Sequence, residues 1–355
     1  MLKADNAIGL FLILSYSVIG QAGDWDFFSG DYSKKAIIGQ SLPGTWRPFA
    51  TDAPWNMPIP DNAKVHPESD KIIYKITDTT KFMRLAGEYN PPVWVVNAKN
   101  MPQQQVYSKK IFDAWDQNRD QWSDITIPID QSMWAEPTSD GHMIIIDPFA
   151  MTAWEMSRFK WEAKADGKVI PTCTTFNVWD LKGKGYADLT GKRWQLRGGR
   201  GSGFPIIAGM VRLEEVAAGE IRHALVFTFP ENRQSADGKN IFIYPPAVRS
   251  DGKHKGREFP IEGMRLQLDP KLTEADFDAW RLTKEAKVVA KALQKYGMFL
   301  GDNGGAMALQ VQMLANSADE NKQLWDKQFP NLYQAVAKIP TAYLKVIDIG
   351  KVTVK

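Results

Sequence analysis

The stretch Thr138–Trp161, TSDGHMIIIDPFAMTAWEMSRFKW, decides how the rest of the chain is read. Met143–Ile146 is a short, continuous apolar run rich in β-branched residues, the pattern of a strand. Asp147-Pro148 closes it, because proline cannot continue a central strand. The chain turns through Phe149–Thr152 and returns as the aromatic-rich Ala153–Trp161, so the whole reads as a β-hairpin. Asp140 and Asp147 bracket the outgoing strand, His142 opens it and Glu155 sits on the return. Ionisable groups in so apolar a hairpin are costly to bury unpaired. Turn chemistry accounts for either aspartate alone: Asp140 starts an Asp-Gly turn and Asp147 precedes a proline. It accounts less well for His142 and Glu155, which fall within the strands.

Outward from the hairpin, further strands are expected. Upstream they are Ser69–Asp78, Pro91–Ala98, Gln105–Tyr107 and an edge strand at Ile125–Ile129, broken by Pro128. Downstream they are Ile206–Arg212, Ile221–Phe229, Asn240–Tyr244 and Gly263–Leu268. In Ile221–Phe229, His223, Leu225 and Phe227 alternate with Arg222, Ala224 and Val226. This strand and the hairpin are expected in one sheet system. Leu213–Ala218 reads as a helical turn, Phe112–Trp122 as a helical turn or exposed loop, and Asp166–Gly198 as loop-rich. Thr273, with Asp276 three residues on, caps a helix that runs to Tyr296 and ends at Gly297. Phe299–Gly305, FLGDNGG, reads as a tight turn, and RSDGKH at Arg249–His254 echoes the TSDGH turn. Ala306–Leu314 is a strand or short helix, Asn321–Lys338 is amphipathic and Leu344–Val354 extended. Many strands followed by late helices predict a mainly β fold, a β-sandwich or jelly-roll-like domain with helical decoration toward the C-terminus.

The chain has 355 residues, 44% hydrophobic and 24% charged, an ordinary globular composition. A net charge of +3 with no long basic run argues against nucleic acid as a partner. Lys3, the apolar run Ala7–Gly20 and the small-x-small Gly20-Gln21-Ala22 have the layout of a secretory signal peptide over residues 1–22. The expectation is a secreted protein beginning near Gly23, a single β-rich domain over 23–355, monomeric and free of the membrane once the leader is removed. An irregular lead-in, Asp24–Trp46, and an extended proline-rich segment, Pro48–Pro60, would follow. The lone cysteine, Cys173, allows no internal disulfide, and nothing beside it would lower its pKa for nucleophilic work.

The blocks PFATDAPWNMPIP, SDGHMIIIDP, RGSGFPIIAGMVRLEEVAAGEIRHAL and ALQKYGMFLGDNGGA stand in this order between about Pro48 and Ala306. In them the chain resembles a family of exported, mostly uncharacterised proteins of soil bacteria. The resemblance implies export and a single domain, and it carries no activity with it.

The chemistry is therefore read from residue types. Thirteen tryptophans exceed ordinary usage. Flat aromatic faces both fill a β core and stack on sugar rings. Paired carboxylates are the minimum equipment for glycoside hydrolysis. The leading expectation is an exported carbohydrate-active enzyme, a glycoside hydrolase acting on a polysaccharide or oligosaccharide. Glu155 would be the general acid and Asp147 or Asp140 the base or nucleophile. The hairpin register selects the partner: an odd-numbered residue opposite Glu155 places Asp147 on its face, an even-numbered one places His142 there. His142 and His223 would tune or bind; a hydrogen-bonded core histidine is the structural alternative for His223. Arg200, Trp154, Trp134 and Glu220 are candidate substrate-binding residues.

Gly199-x-Gly201-x-Gly203 lacks the context of a phosphate loop, and Gly201-Ser202-Gly203 is not a nucleophile elbow. No ligand-spacing motif supports a metal at His142, His223 and a carboxylate, so no metal or cofactor is expected. The alternatives are a non-catalytic carbohydrate-binding protein, a polysaccharide lyase with Arg200 or Arg222 and His223 at a uronate, and a structural virion or cell-surface component.

Overall fold

The computed structural model describes residues 46–113, 126–187, 198–329, 334–348 and 350–354, with residues 42, 189 and 331. The expected leader, nearly all of the lead-in and most of Phe112–Trp122 lie outside the described residues. In chain order the first strands are β1 (Arg84–Leu85), β2 (Val93–Val95), β3 (Gln103–Gln105), β4 (Tyr107–Asp113) and β5 (Thr126–Pro128). The hairpin supplies β6 (Met143–Asp147) and β7 (Thr152–Ser157), followed by β8 (Lys160–Ala163) and β9 (Val169–Asp180). Then come β10 (Leu225–Phe229), β11 (Ile241–Tyr244), β12 (Arg265–Leu268) and β13 (Met298–Asn303). The last are β14 (Ala308–Leu309), β15 (Leu344–Ile347) and β16 (Lys351–Val354). Helices are α1 (Ser69–Thr80), α2 (Leu213–Ala218), α3 (Glu274–Ala279), α4 (Lys284–Lys295) and α5 (Ala318–Gln328). The described chain is mainly β, and none of its helices is long and apolar enough to cross a membrane.

Two six-stranded sheets carry the architecture. One runs β1-β14-β10-β13-β12-β15; the other runs β2-β6-β7-β9-β4, with β8 also on β9. Their facing sides share a core: Val93, Ile144, Ile146, Ala153 and Trp179 from one sheet meet Val226 and Phe299 from the other. On the far side of the first sheet, Leu225, Phe227, Leu266 and Leu300 pack with Ile72 and Ile76 of α1 and with Val289 and Leu293 of α4. On the far side of the second, Met143, Ile145, Trp154 and Met156 pack with Ile127 and Phe176. Both sheets are thus covered on both faces, which is why β6 reads as an unbroken apolar run.

The hairpin and Ile221–Phe229 therefore lie in different sheets across a shared core. Only Leu225–Phe229 of the latter is strand. The hairpin's return breaks at Arg158, whose φ is 51°, before β8.

Other expectations are corrected. Ser69–Asp78 is helix: Ile72, Ile73 and Ile76 share one buried stripe at helical spacing, and that packing outweighs their β-branching. Asp166–Gly198 holds the longest strand among the described residues, β9, whose β-branched and aromatic residues outweigh Pro171. Thr273 does cap, its hydroxyl and amide both on Asp276, but the expected single helix is two, broken where Arg281 takes φ 54°. Phe299–Gly305 is mostly strand: β13 lies in the middle of its sheet.

Cys173 is buried on β9, and burial pushes its thiol up to about 12. A thiol reagent is expected to leave the native protein unlabelled and to react once the chain is unfolded, as a colorimetric thiol count would register.

Candidate functional site

A cleft of about 760 Å³ opens where the two sheets meet the start of α5. Arg84, Glu88 and Tyr89 form one wall, with Asp319 and Lys322 of α5. Asp140 and His142, ahead of β6, contribute another. Arg200 from the glycine-rich loop, Thr228 of β10 and Asp302 of β13 also line it.

Asp302 reaches the cleft through an irregularity. Phe227 of β10 pairs with Leu300, but Thr228 pairs with Asp302, leaving Gly301 as an extra residue. Such a bulge re-aims the side chains that follow it. Gly301 must be glycine, since a Cβ there would lie 2.5 Å from Val226 Cγ1.

Behind Asp302 stand two more carboxylates, and one oxygen from each of Asp251, Glu262 and Asp302 lies within 4.8 Å of the others. Glu262 is fully buried; it accepts from Asn232 Nδ2 at 3.0 Å and from the Asp251 amide at 3.3 Å. Asn303 Nδ2 donates to Asp251 Oδ1 at 2.5 Å. Burial, then the hydrogen bond and charge of Asp251, hold the Glu262 carboxyl well above the usual range. Burial and the Asp251 charge push Asp302 up to about 6, against Arg200 and the amides of Gly201 and Asn303. A Cβ on Gly201 would sit 2.6 Å from Asp251 Oδ1 and 2.7 Å from Asp302 Oδ1, so only glycine lets the backbone come this close. An oxygen-only set of this kind is also what a hard divalent cation selects. Here the side-chain amides of Asn232 and Asn303 already donate to Glu262 Oε1 and Asp251 Oδ1.

Of the residues singled out in the sequence, Asp140, His142 and Arg200 come together in the cleft. Arg200 is 4% exposed; its Nη2 donates to the carbonyls of Ile206 and Ala208, and it stands near the charges of Glu155 and Asp302. Burial lowers it to about 10, so it remains a cation at neutral pH.

The others lie elsewhere. Glu155 pairs with Ile144, an even-numbered residue, which puts Asp147 on the opposite face of the sheet. Glu155 has no exposed surface: Oε2 accepts from Trp179 Nε1 and Oε1 from the Ile207 amide, both at 2.8 Å. Burial raises its pKa against those donors and Arg200. Asp147 Oδ1 accepts from the amides of Phe149 and Ala150, which is turn chemistry, and its Oδ2 accepts from the distant Ala98 amide. His223 is 3% exposed, with Nε2 3.0 Å from Glu215 Oε1, in a buried group with Arg212. Glu220 pairs with Arg222 and Lys295 away from the cleft. Trp154 and Trp134 pack on the outer side of the second sheet. Among the described residues no tryptophan lines the cleft; Tyr89, 46% exposed, is its aromatic residue.

Sequence reasoning passed over Asp302, Asp251 and Glu262. Asp302 was hidden in FLGDNGG, which reads as a turn. The echo between TSDGH and RSDGKH was the available signal: one turn carries Asp140 to the cleft and the other carries Asp251 to the carboxylate group behind it.

No protein-family model matches the chain, and neither does any curated protein or solved structure.

Proposed function

We propose that the cleft is the active centre of a secreted, monomeric carbohydrate-active enzyme, a glycoside hydrolase that cleaves a polysaccharide. We read the two sheets around their shared core as its sandwich-like scaffold. The observation that carries the proposal is the placement of Asp302: it lines the cleft with oxygens of Asp251 and Glu262 within 4.8 Å, and burial and the Asp251 charge push it up to about 6. A carboxyl in that range holds its proton in mildly acidic water and can give it to a leaving glycosidic oxygen. Asp302 thus takes the acid's role expected of Glu155. The base belongs to the wall that bears Asp140 and His142. Arg84, Glu88, Gln310 and Lys322 offer donors and acceptors for sugar hydroxyls, and Tyr89 offers a ring face.

A panel of polysaccharides tests this, followed by reducing ends and by absorbance of unsaturated products. New reducing ends without unsaturation are expected. Unsaturated ends would make the protein a lyase, and binding without either signal a carbohydrate-binding protein. A panel with neither binding nor cleavage would remove the carbohydrate reading.

A further inference from the structure

Ahead of β6, Glu136 is held more tightly than an ordinary loop acid. It is 3% exposed, its Oε2 accepts from the Thr138 hydroxyl at 2.8 Å, and its Oε1 from the His142 amide at 3.2 Å. The Glu136 amide in turn donates to the His142 carbonyl at 3.0 Å. The same Oε1 lies 3.4 Å from His142 Nδ1, a buried ring nitrogen with no hydrogen-bond partner. That distance is long for a hydrogen bond, as such contacts often are before substrate binds. The other ring nitrogen, Nε2, lies toward the glycine-rich loop, where a Cβ on Gly199 would stand 3.5 Å from it. The His142 side chain is 14% exposed and lines the cleft. An imidazole with one nitrogen on a fixed carboxylate keeps its proton on that side and its lone pair on the other.

We propose that His142 is the base that activates water in this cleft, and that Glu136 is its positioning residue. The inference rests on the hydrolase reading and completes it. Nε2 takes a proton from water as the water oxygen bonds to the anomeric carbon. The bond from that carbon to the glycosidic oxygen breaks, and the departing oxygen takes the proton of Asp302. The imidazolium then loses its proton to solvent and Asp302 regains one, so one water is consumed per bond cleaved. Direct attack by water makes the enzyme inverting, whereas a carboxylate nucleophile such as Asp140 would give retention.

The test has two arms. The first needs no substrate: ¹⁵N spectra of the wild-type imidazole rings should show neutral His142 protonated on Nδ1. A proton on Nε2 overturns the pair, whatever the protein cleaves. The second uses the polysaccharide found to be cleaved. The first product by NMR should carry the inverted anomer. His142→Ala should lose roughly 100- to 10,000-fold in kcat and regain part of it with added imidazole. Glu136→Gln can keep its carbonyl oxygen on the His142 amide and set its amide nitrogen on the Thr138 hydroxyl, which can accept as well as donate. It thus removes the charge facing the imidazolium without orphaning a donor, and it should lower kcat at least tenfold with KM unchanged and the same melting temperature. Retention of configuration, or an unchanged kcat in either variant, overturns the assignment. If the Nδ1 proton is found but nothing on the panel is cleaved, the hydrolase reading fails, and the role of His142 as base falls with it.

Discussion

Asp302→Asn is expected to cut turnover by about 100- to 10,000-fold while leaving substrate binding in place, because a positioned acid contributes that much. The amide keeps the size and the acceptor oxygen but has no proton to give. The pH profile carries the same information with a definite sign. Asp302, pushed up to about 6, is a competent acid only while protonated, so kcat/KM should fall as pH rises through that value. Asp251→Asn removes the neighbouring negative charge that helps raise Asp302, so it should move this alkaline limb to lower pH. A limb that stays in place in Asp251→Asn, or full activity in Asp302→Asn, would take the acid away from this carboxylate group.

Glu155→Gln is expected to be a lesion of the fold, whereas the sequence alone makes it the loss of a catalytic acid. The carboxylate accepts from Trp179 Nε1 and the Ile207 amide and stands near the buried Arg200. A neutral amide turns one of those acceptors into a donor and leaves the Arg200 cation less compensated. Unsatisfied buried donors and broken buried charge pairs put the loss at about 3 kcal/mol. A denaturant titration would show it as a lower midpoint with an unchanged slope. Normal stability with abolished turnover would return Glu155 to the catalytic role.

Where periodicity and local chemistry agree, sequence and structure coincide: the hairpin's outgoing strand and turn, the strand expected at Asn240–Tyr244 and the Thr273 cap are found, while the hairpin's return ends at Ser157. Ser69–Asp78 departs because its isoleucines satisfy a helical stripe and β-propensity together, and only packing against the first sheet decides between them. The register of the hairpin had no local determinant, so the faces of Glu155 and Asp147 could not be assigned. Asp302 was hidden for a related reason. Gly301-Asp302-Asn303-Gly304 has the composition of a turn, and its place beside β10 depends on residues far away in the chain. Its raised pKa comes from Asp251 and from burial, both consequences of tertiary structure. Asp140, His142 and Arg200 were legible because ionisable groups inside apolar or glycine-rich blocks are conspicuous before any fold is known.

The walls of the cleft come from the segments 84–89, 139–142, 200–206, 228, 302–310 and 318–322. Asp140 and His142, with Glu136 behind them, come from one short stretch, but Asp302 is brought to them from far along the chain. β13, which bears Asp302, finds its parallel partner β10 only after the intervening chain has closed a long loop. Closing such loops costs entropy before any contact repays it, which slows folding. The cleft is therefore completed with the last long-range pairings. Until those form, Asp302, Asp251 and Glu262 are not brought together.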